Sequence, residues 1–296
     1  MVALKVSGTY TAIVTPFNED YSIDFDAFRE LVNYQIDNGV EGIVVCGSTG
    51  ESATLSAKEK LALIIDAVDQ AKGRVPIIAG TGSNDTSASI DLTRMAKEHG
   101  AAAVLLVAPY YNKPTQEGLY YHYKTIAMAC DIPQIIYNVP SRSGVNIQAE
   151  VVLRLAKEFS NIIAVKEASG NMDQVMEIMR KRPKGFAVLS GEDSLTVPLI
   201  AMGADGVIGV TPNYAPKEFS EMTRQALKGN IATARRLHYK LFELMQLNMV
   251  ETNPTPAKAI LSIMGKIKAI YRQPLLPIHD DNRKKLARAL KRAKLL

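Results

Sequence analysis

Only two cysteines, Cys46 and Cys130, occur in 296 residues, and both lie in apolar or helical stretches. No disulfide framework is implied, and the pair reads as buried free thiols in a reducing compartment. Histidine is scarce too: His99, His122, His238 and His279 are scattered, three of them in helix-like stretches, so metal-ligand spacing is lacking and no metal is expected. No run of roughly 18 uncharged apolar residues is long enough to span a membrane, and the opening MVALKVSGTY lacks the apolar segment of a signal peptide. Together these absences predict a cytoplasmic protein with no membrane partner. Aromatic residues stop at Tyr271, which removes stacking partners from the basic tail that holds Arg283, Lys284, Lys285, Arg288, Lys291, Arg292 and Lys294. Within that tail Leu286, Ala289, Leu290 and Ala293 recur at helical spacing, so the charges read as the solvated face of a terminal helix and no nucleic-acid partner is expected.

What is present suits a packed core. Hydrophobic residues make up 47% and charged ones 22%, which excludes disorder. Short apolar runs alternate with longer amphipathic ones: AIV (12–14), GIVV (42–45), PIIAG (76–80), AVLLV (103–107), PQIIY (133–137), IIAVK (162–166), AVLS (187–190) and GVIGV (206–210). Helical stretches at Asp24 to Asp37, Ser56 to Ala71, Thr115 to Ala129 and Ala149 to Phe159 separate them, several opened by an Asp, Ser or Thr cap. Strand ends at Thr15, Gly47, Gly80, Pro109, Tyr137, Lys166, Gly191 and Gly209 follow one another at intervals of 18 to 33 residues. Eight such units predict an α/β fold of the TIM (β/α)8 type rather than a doubly wound sheet. From about residue 229 the pattern is helix only, near Ile231 to Leu247, Thr255 to Met264 and Asp281 to Ala293. The expected division is a barrel of residues 1–228 and a C-terminal helical extension of residues 229–296.

In parallel barrels, chemistry sits at the carboxyl ends of the strands. Lys166 ends the sixth run, and period-two alternation puts it on one face with Ile162 and Ala164, opposite Val165 and Glu167. An apolar interior depresses a lysine pKa and frees the amine that Schiff-base chemistry requires; a buried ion pair or a snorkelling side chain would explain the same residue. Tyr137 ends the preceding run, placed to relay protons or to serve as an ordinary rim tyrosine bonded to backbone. The same two readings apply to Tyr110 and Tyr111. Gly47 to Glu51 sets two hydroxyls between glycines, either a carboxylate or phosphate cradle or a plain tight turn. Arg142, five residues past Tyr137, offers a fork for a second carboxylate or a surface ion pair.

Taken together, Gly47-Ser48-Thr49-Gly50-Glu51-Ser52, Pro109-Tyr110-Tyr111-Asn112-Lys113-Pro114, Tyr137-Asn138-Val139-Pro140-Ser141-Arg142 and Val165-Lys166-Glu167 resemble the dihydrodipicolinate synthase family, within the wider N-acetylneuraminate lyase group. The likeness continues through Ser190 to Asp193, Gly206 to Val210 and Glu251 to Pro254. It implies a Schiff base between Lys166 and pyruvate, no separate cofactor, and Thr49 with nearby backbone on the pyruvate carboxylate. It further implies a relay of Tyr137, Ser48 and Tyr111, Arg142 on the carboxylate of L-aspartate 4-semialdehyde, and Gly191 and Ile208 beside the substrate. Ser48 stands where the synthases more often carry threonine, and it keeps the hydroxyl. Tyr111 would reach in from a neighbouring subunit, so a homo-oligomer, usually a tetramer, is implied. The resemblance also implies a feedback site for lysine near Ser52, Ala53, Ala57, Lys60, Asn84, Ala88 and Tyr110; sensitive enzymes use an acid where Ala88 stands, so weak or absent inhibition is expected. Two other readings remain: a Schiff-base aldolase acting on a sugar-derived keto acid such as N-acetylneuraminate, indifferent to Arg142, and a non-catalytic barrel that binds a keto acid.

Overall fold

The structure is a computed structural model that describes residues 4–296. Eight parallel strands close into one barrel in sequence order: β1 (Gly8–Ala12), β2 (Gly42–Val45), β3 (Ile77–Gly80), β4 (Ala103–Val107), β5 (Gln134–Asn138), β6 (Ile162–Glu167), β7 (Ala187–Ser190) and β8 (Gly206–Gly209). Around them lie α1 (Phe25–Asp37), α2 (Ala57–Ala71), α3 (Thr86–Glu98), α4 (Gln116–Ala129), the short α5 (Pro140–Ser143), α6 (Ala149–Glu158), α7 (Met172–Lys181), α8 (Thr196–Ala201) and α9 (Pro216–Leu227). Helices α10 (Ile231–Leu247), α11 (Thr255–Ile263) and α12 (Asp280–Arg292) follow, with α10 against α9 and α12 against α10 and α11. The (β/α)8 barrel and its trailing helices are those the periodicity predicts.

Local chemistry starts the helices. The Asp24 side chain accepts from Ala27 N, Thr115 from Gly118 N, and Ser56 with Glu59 forms a reciprocal capping box on α2. On α12, Leu286, Ala289 and Leu290 are buried while Lys284, Lys285 and Arg288 face solvent, so the tail is an amphipathic helix.

Two side-chain layers make the core. Tyr10, Val44, Ile78, Ile135, Leu189 and Ile208 fill the barrel interior, while a larger outer cluster joins strands to helices. Gly42 is required by that filling: a Cβ there would stand 2.3 Å from the Tyr10 ring, which occupies the space instead.

Two strand expectations are corrected. β1 is Gly8–Ala12, not residues 12–14. Its outward hydroxyls hid it, since Thr11 Oγ1 bonds Gln35 Oε1 on α1 at 2.7 Å and is satisfied where an apolar residue was sought. In β6 the pairing shifts between Gln134 and Ile135, so that Gln134 faces Ile162 but Ile135 faces Ala164. This bulge sends Ile162 to the outer layer, and Ile163 packs towards the barrel interior. Lys166 therefore shares its face with Ala164 but not with Ile162.

His122 on α4 gives the fold a pH dependence. Its Nδ1 shares a 2.9 Å hydrogen bond with Thr86 Oγ1, its Nε2 is buried without a partner among the described residues, and burial pulls its pKa down to about 4. The unfolded chain, with a histidine near 6.5, takes up the proton first, so stability falls as pH drops from 6.5 towards 4, by up to ~3 kcal/mol. Denaturant melts of His122→Gln across that range should show a flatter slope than the parent, and an unchanged slope would assign the effect elsewhere.

Candidate active site

Lys166 and Tyr137 are neighbours because β5 and β6 pair in register at their carboxyl ends, Tyr137 opposite Lys166 and Asn138 opposite Glu167. Both side chains are buried, at 6% and 7% exposure, and Lys166 Nζ stands 4.3 Å from the centroid of the Tyr137 ring. Glu192 and Asp193 feel the lysine's charge at a distance, but among the described residues no carboxylate pairs with it. A buried amine with only an aromatic face for company is free to act as a nucleophile once deprotonated.

What fixes the two strand ends is Glu167, which points outward. Asn138 Nδ2 donates to both carboxylate oxygens at 3.1 Å, Gln174 Nε2 donates at 3.0 Å and Ser169 N at 2.8 Å. A buried carboxylate with this many donors is well satisfied and holds β5 and β6 together one residue past Tyr137 and Lys166.

The β2 end forms a second element. Gly50 N bonds Gly47 O at 3.0 Å and Glu51 N bonds Ser48 O at 3.1 Å, curling the loop, while the N–H groups of Ser48 and Thr49 meet no protein acceptor among the described residues. Two free donors beside two hydroxyls can hold a carboxylate. The C-terminal extension clamps this loop: Asn253 Nδ2 donates to Thr49 Oγ1 at 3.0 Å, and Lys258 Nζ meets Glu51 Oε1 at 2.6 Å with both side chains almost wholly buried. Lys258 also lies 4.3 Å from the Phe17 ring centroid. Burial pulls the Lys258 pKa down and the Glu51 charge opposes this. Sequence reasoning missed Lys258 and gave Asn253 no role; an Asn and a Lys in a helical tail carry no local sign of a partner more than 200 residues away.

A cavity of about 390 Å³ opens at this end of the barrel, lined among others by Ser48, Tyr137, Arg142, Tyr110 and Asn253. Lys166 is not part of the lining; the Tyr137 ring beside it is. Arg142 is exposed on α5, held among the described residues only by a 3.4 Å hydrogen bond from its Nη2 to Asn253 O, which leaves its fork available. Ile208 is buried within the barrel interior, and Gly191 N donates to Glu167 O at 2.7 Å. Of the residues expected at the feedback site, Ser52, Ala53, Lys60 and Tyr110 line the same cavity, while Ala57, Asn84 and Ala88 do not. Tyr111 stands apart: it is 90% exposed, outside the lining, and has a left-handed φ of 68°. Among the described residues no cluster of three or more His, Cys, Asp or Glu is placed to hold a metal ion, and no helix is long and apolar enough to cross a membrane.

The closed parallel barrel with a buried lysine at its mouth has the architecture of a lyase of the class I aldolase type, and the comparisons place the chain there. The profile of the Dihydrodipicolinate synthetase family matches residues 5–293. The chain belongs to that family, as its motifs imply. It is 50% identical to the 4-hydroxy-tetrahydrodipicolinate synthase of Trichlorobacter lovleyi, over 98% of this chain and 99% of the relative. The crystal structure of dihydrodipicolinate synthase from Aquifex aeolicus superposes with a TM-score of 0.96 at 46% identity, covering 98% of this chain and 99% of that one. The chloride-inhibited dihydrodipicolinate synthase from Acinetobacter baumannii, complexed with pyruvate, does so with a TM-score of 0.96 at 43% identity, covering 98% and 100%.

Proposed function

We propose that this chain is a 4-hydroxy-tetrahydrodipicolinate synthase, condensing pyruvate with L-aspartate 4-semialdehyde in lysine and diaminopimelate synthesis. The observation that carries this reading is the buried Lys166, without a carboxylate partner and 4.3 Å from the Tyr137 ring, in a chain about half identical to proteins of that name. The Lys166 amine attacks the pyruvate carbonyl carbon, water leaves, and an imine forms without any separate cofactor. The Ser48 and Thr49 amides with the Thr49 hydroxyl hold the pyruvate carboxylate. Loss of a methyl proton gives the enamine, whose carbon attacks the aldehyde. Tyr137 and Ser48 pass the protons of these steps. The acceptor's own amine then displaces Lys166 and closes the ring. Gly191 and Ile208 border the substrate, and Arg142 holds the acceptor carboxylate. Tyr111, exposed on a strained backbone, completes the relay of a neighbouring subunit in a homodimer or tetramer. The protein works in the cytoplasm.

The test is pyruvate consumption with the semialdehyde, run beside sugar aldehydes including N-acetylmannosamine. Rapid loss specific to the semialdehyde is expected; turnover with a sugar aldehyde alone would move the chain to the lyase side of the group. Arg142→Ala should lower kcat/KM for the semialdehyde roughly 10- to 100-fold, the worth of a charge-assisted hydrogen bond, and leave the pyruvate imine intact. Indifference to that change would remove Arg142 from the acceptor site.

Lysine should inhibit weakly or not at all, because Ala88 offers no acid to the ligand's amino group and Lys60 opposes it. Half-maximal inhibition at sub-millimolar lysine would overturn that expectation.

A further inference from the structure

Thr49 is buried, and its hydroxyl oxygen accepts from Asn253 Nδ2 at 3.0 Å. Two other threonines around the same loop spend their protons on backbone: Thr15 Oγ1 donates to Gly50 O at 2.7 Å and Thr54 Oγ1 to Glu51 O at 3.1 Å. The Thr49 hydroxyl donates to no protein acceptor among the described residues, so the N–H that fills one of its lone pairs leaves its own proton for a ligand. Asn253 is 6% exposed and lines the cavity, and among the described residues the bond to Thr49 is the only one its side chain makes, since its Oδ1 is buried without a partner. A buried amide with an unpaired carbonyl costs stability rather than adding to it, which points away from a purely structural role. The amide is nonetheless held in place. Lys258, five residues on, donates from its backbone N to Pro254 O at 3.0 Å and binds Glu51, two residues past Thr49, through its side chain.

We infer, on the pyruvate reading of this site, that Asn253 is a positioning residue for the keto-acid substrate and acts through Thr49: its Nδ2 makes the Thr49 hydroxyl a donor to the pyruvate carboxylate. The hydroxyl joins the free N–H groups of Ser48 and Thr49 as a third donor. An amide suits this task because it supplies an N–H without a charge. An aspartate in its place would do the reverse. Ionised, it has only acceptors, so it would take the Thr49 proton and set a hydroxyl lone pair and a second negative charge against the ligand.

The test is the pyruvate dependence of imine formation, trapped with borohydride and counted by mass spectrometry without semialdehyde, so that Arg142 takes no part. Half-saturating pyruvate should rise several-fold in Asn253→Ala and roughly tenfold or more in Asn253→Asp, the worth of a lost and then a reversed hydrogen bond to a charged group. The adduct formed at saturating pyruvate and the Tm should match the parent. In a Thr49→Val background Asn253→Ala should add less than about twofold, because the residue through which it acts is gone. Unchanged half-saturation in Asn253→Ala, or effects of Thr49→Val and Asn253→Ala that multiply as independent ones do, would overturn the inference. A fall in both Tm and saturating adduct in the two Asn253 variants would mark the amide as structural and overturn it too. If the parent protein forms no adduct, the Schiff-base reading fails separately, and calorimetric titration of pyruvate into the same variants still decides the role of Asn253.

Discussion

Lys166→Ala should lower turnover by roughly four orders of magnitude, ~5 kcal/mol of transition-state stabilisation, because the imine carries both electrophile and enamine through the reaction. Among the described residues no other lysine is placed to replace it. Lys258, the other buried lysine near the barrel mouth, is tied to Glu51 at 2.6 Å, and Lys60 lies on α2 in the cavity wall, outside the β-strand ends that carry Lys166 and Tyr137. The same position should behave in the opposite way for stability. A polar nitrogen buried without a carboxylate partner among the described residues opposes folding, so Lys166→Met, close in length and apolar, should keep or raise Tm. Loss of activity together with loss of Tm would instead mark Lys166 as structural.

Lys258→Met should give the other large effect, on stability and pyruvate affinity together. It strands the Glu51 carboxylate in a place from which water is excluded, and breaking a buried pair on one side costs about 3–5 kcal/mol. Glu51 has a left-handed φ of 54° and follows Thr49 by two residues, so a displaced Glu51 drags the carboxylate cradle with it. KM for pyruvate should rise several-fold while kcat changes less. The double variant Glu51→Gln/Lys258→Met removes both charges and should recover most of the lost stability. Equal Tm values for the parent and Lys258→Met, measured by calorimetry, would show that the pair carries none of this load.

The sequence reveals the parts of this molecule that are set locally. Ser56 with Glu59, Asp24 and Thr115 mark helix starts because capping is a matter of three residues. Lys166 and Tyr137 are legible as a pair because consecutive strands of a barrel are neighbours and their ends share one rim. β1 is displaced from its expected position because Thr9 and Thr11 face outward and are buried, with Thr11 bonded to Gln35, so no apolar alternation betrays the strand. Ile162 goes to the wrong face in a period-two reading because the bulge is a property of β5 and β6 together. The clamp of Asn253 on Thr49 and Lys258 on Glu51 joins the two ends of the chain, and no local pattern encodes it. Tyr111 has no partner within its own chain's cavity, and only the resemblance gives it a role.

The most direct test is borohydride reduction of the protein with pyruvate alone, followed by peptide mass spectrometry. A single reduced pyruvate on the peptide containing Lys166, absent from Lys166→Ala, is the predicted result. An adduct that persists in Lys166→Ala, or no adduct in the parent protein, would contradict the assignment of Lys166 as the nucleophile.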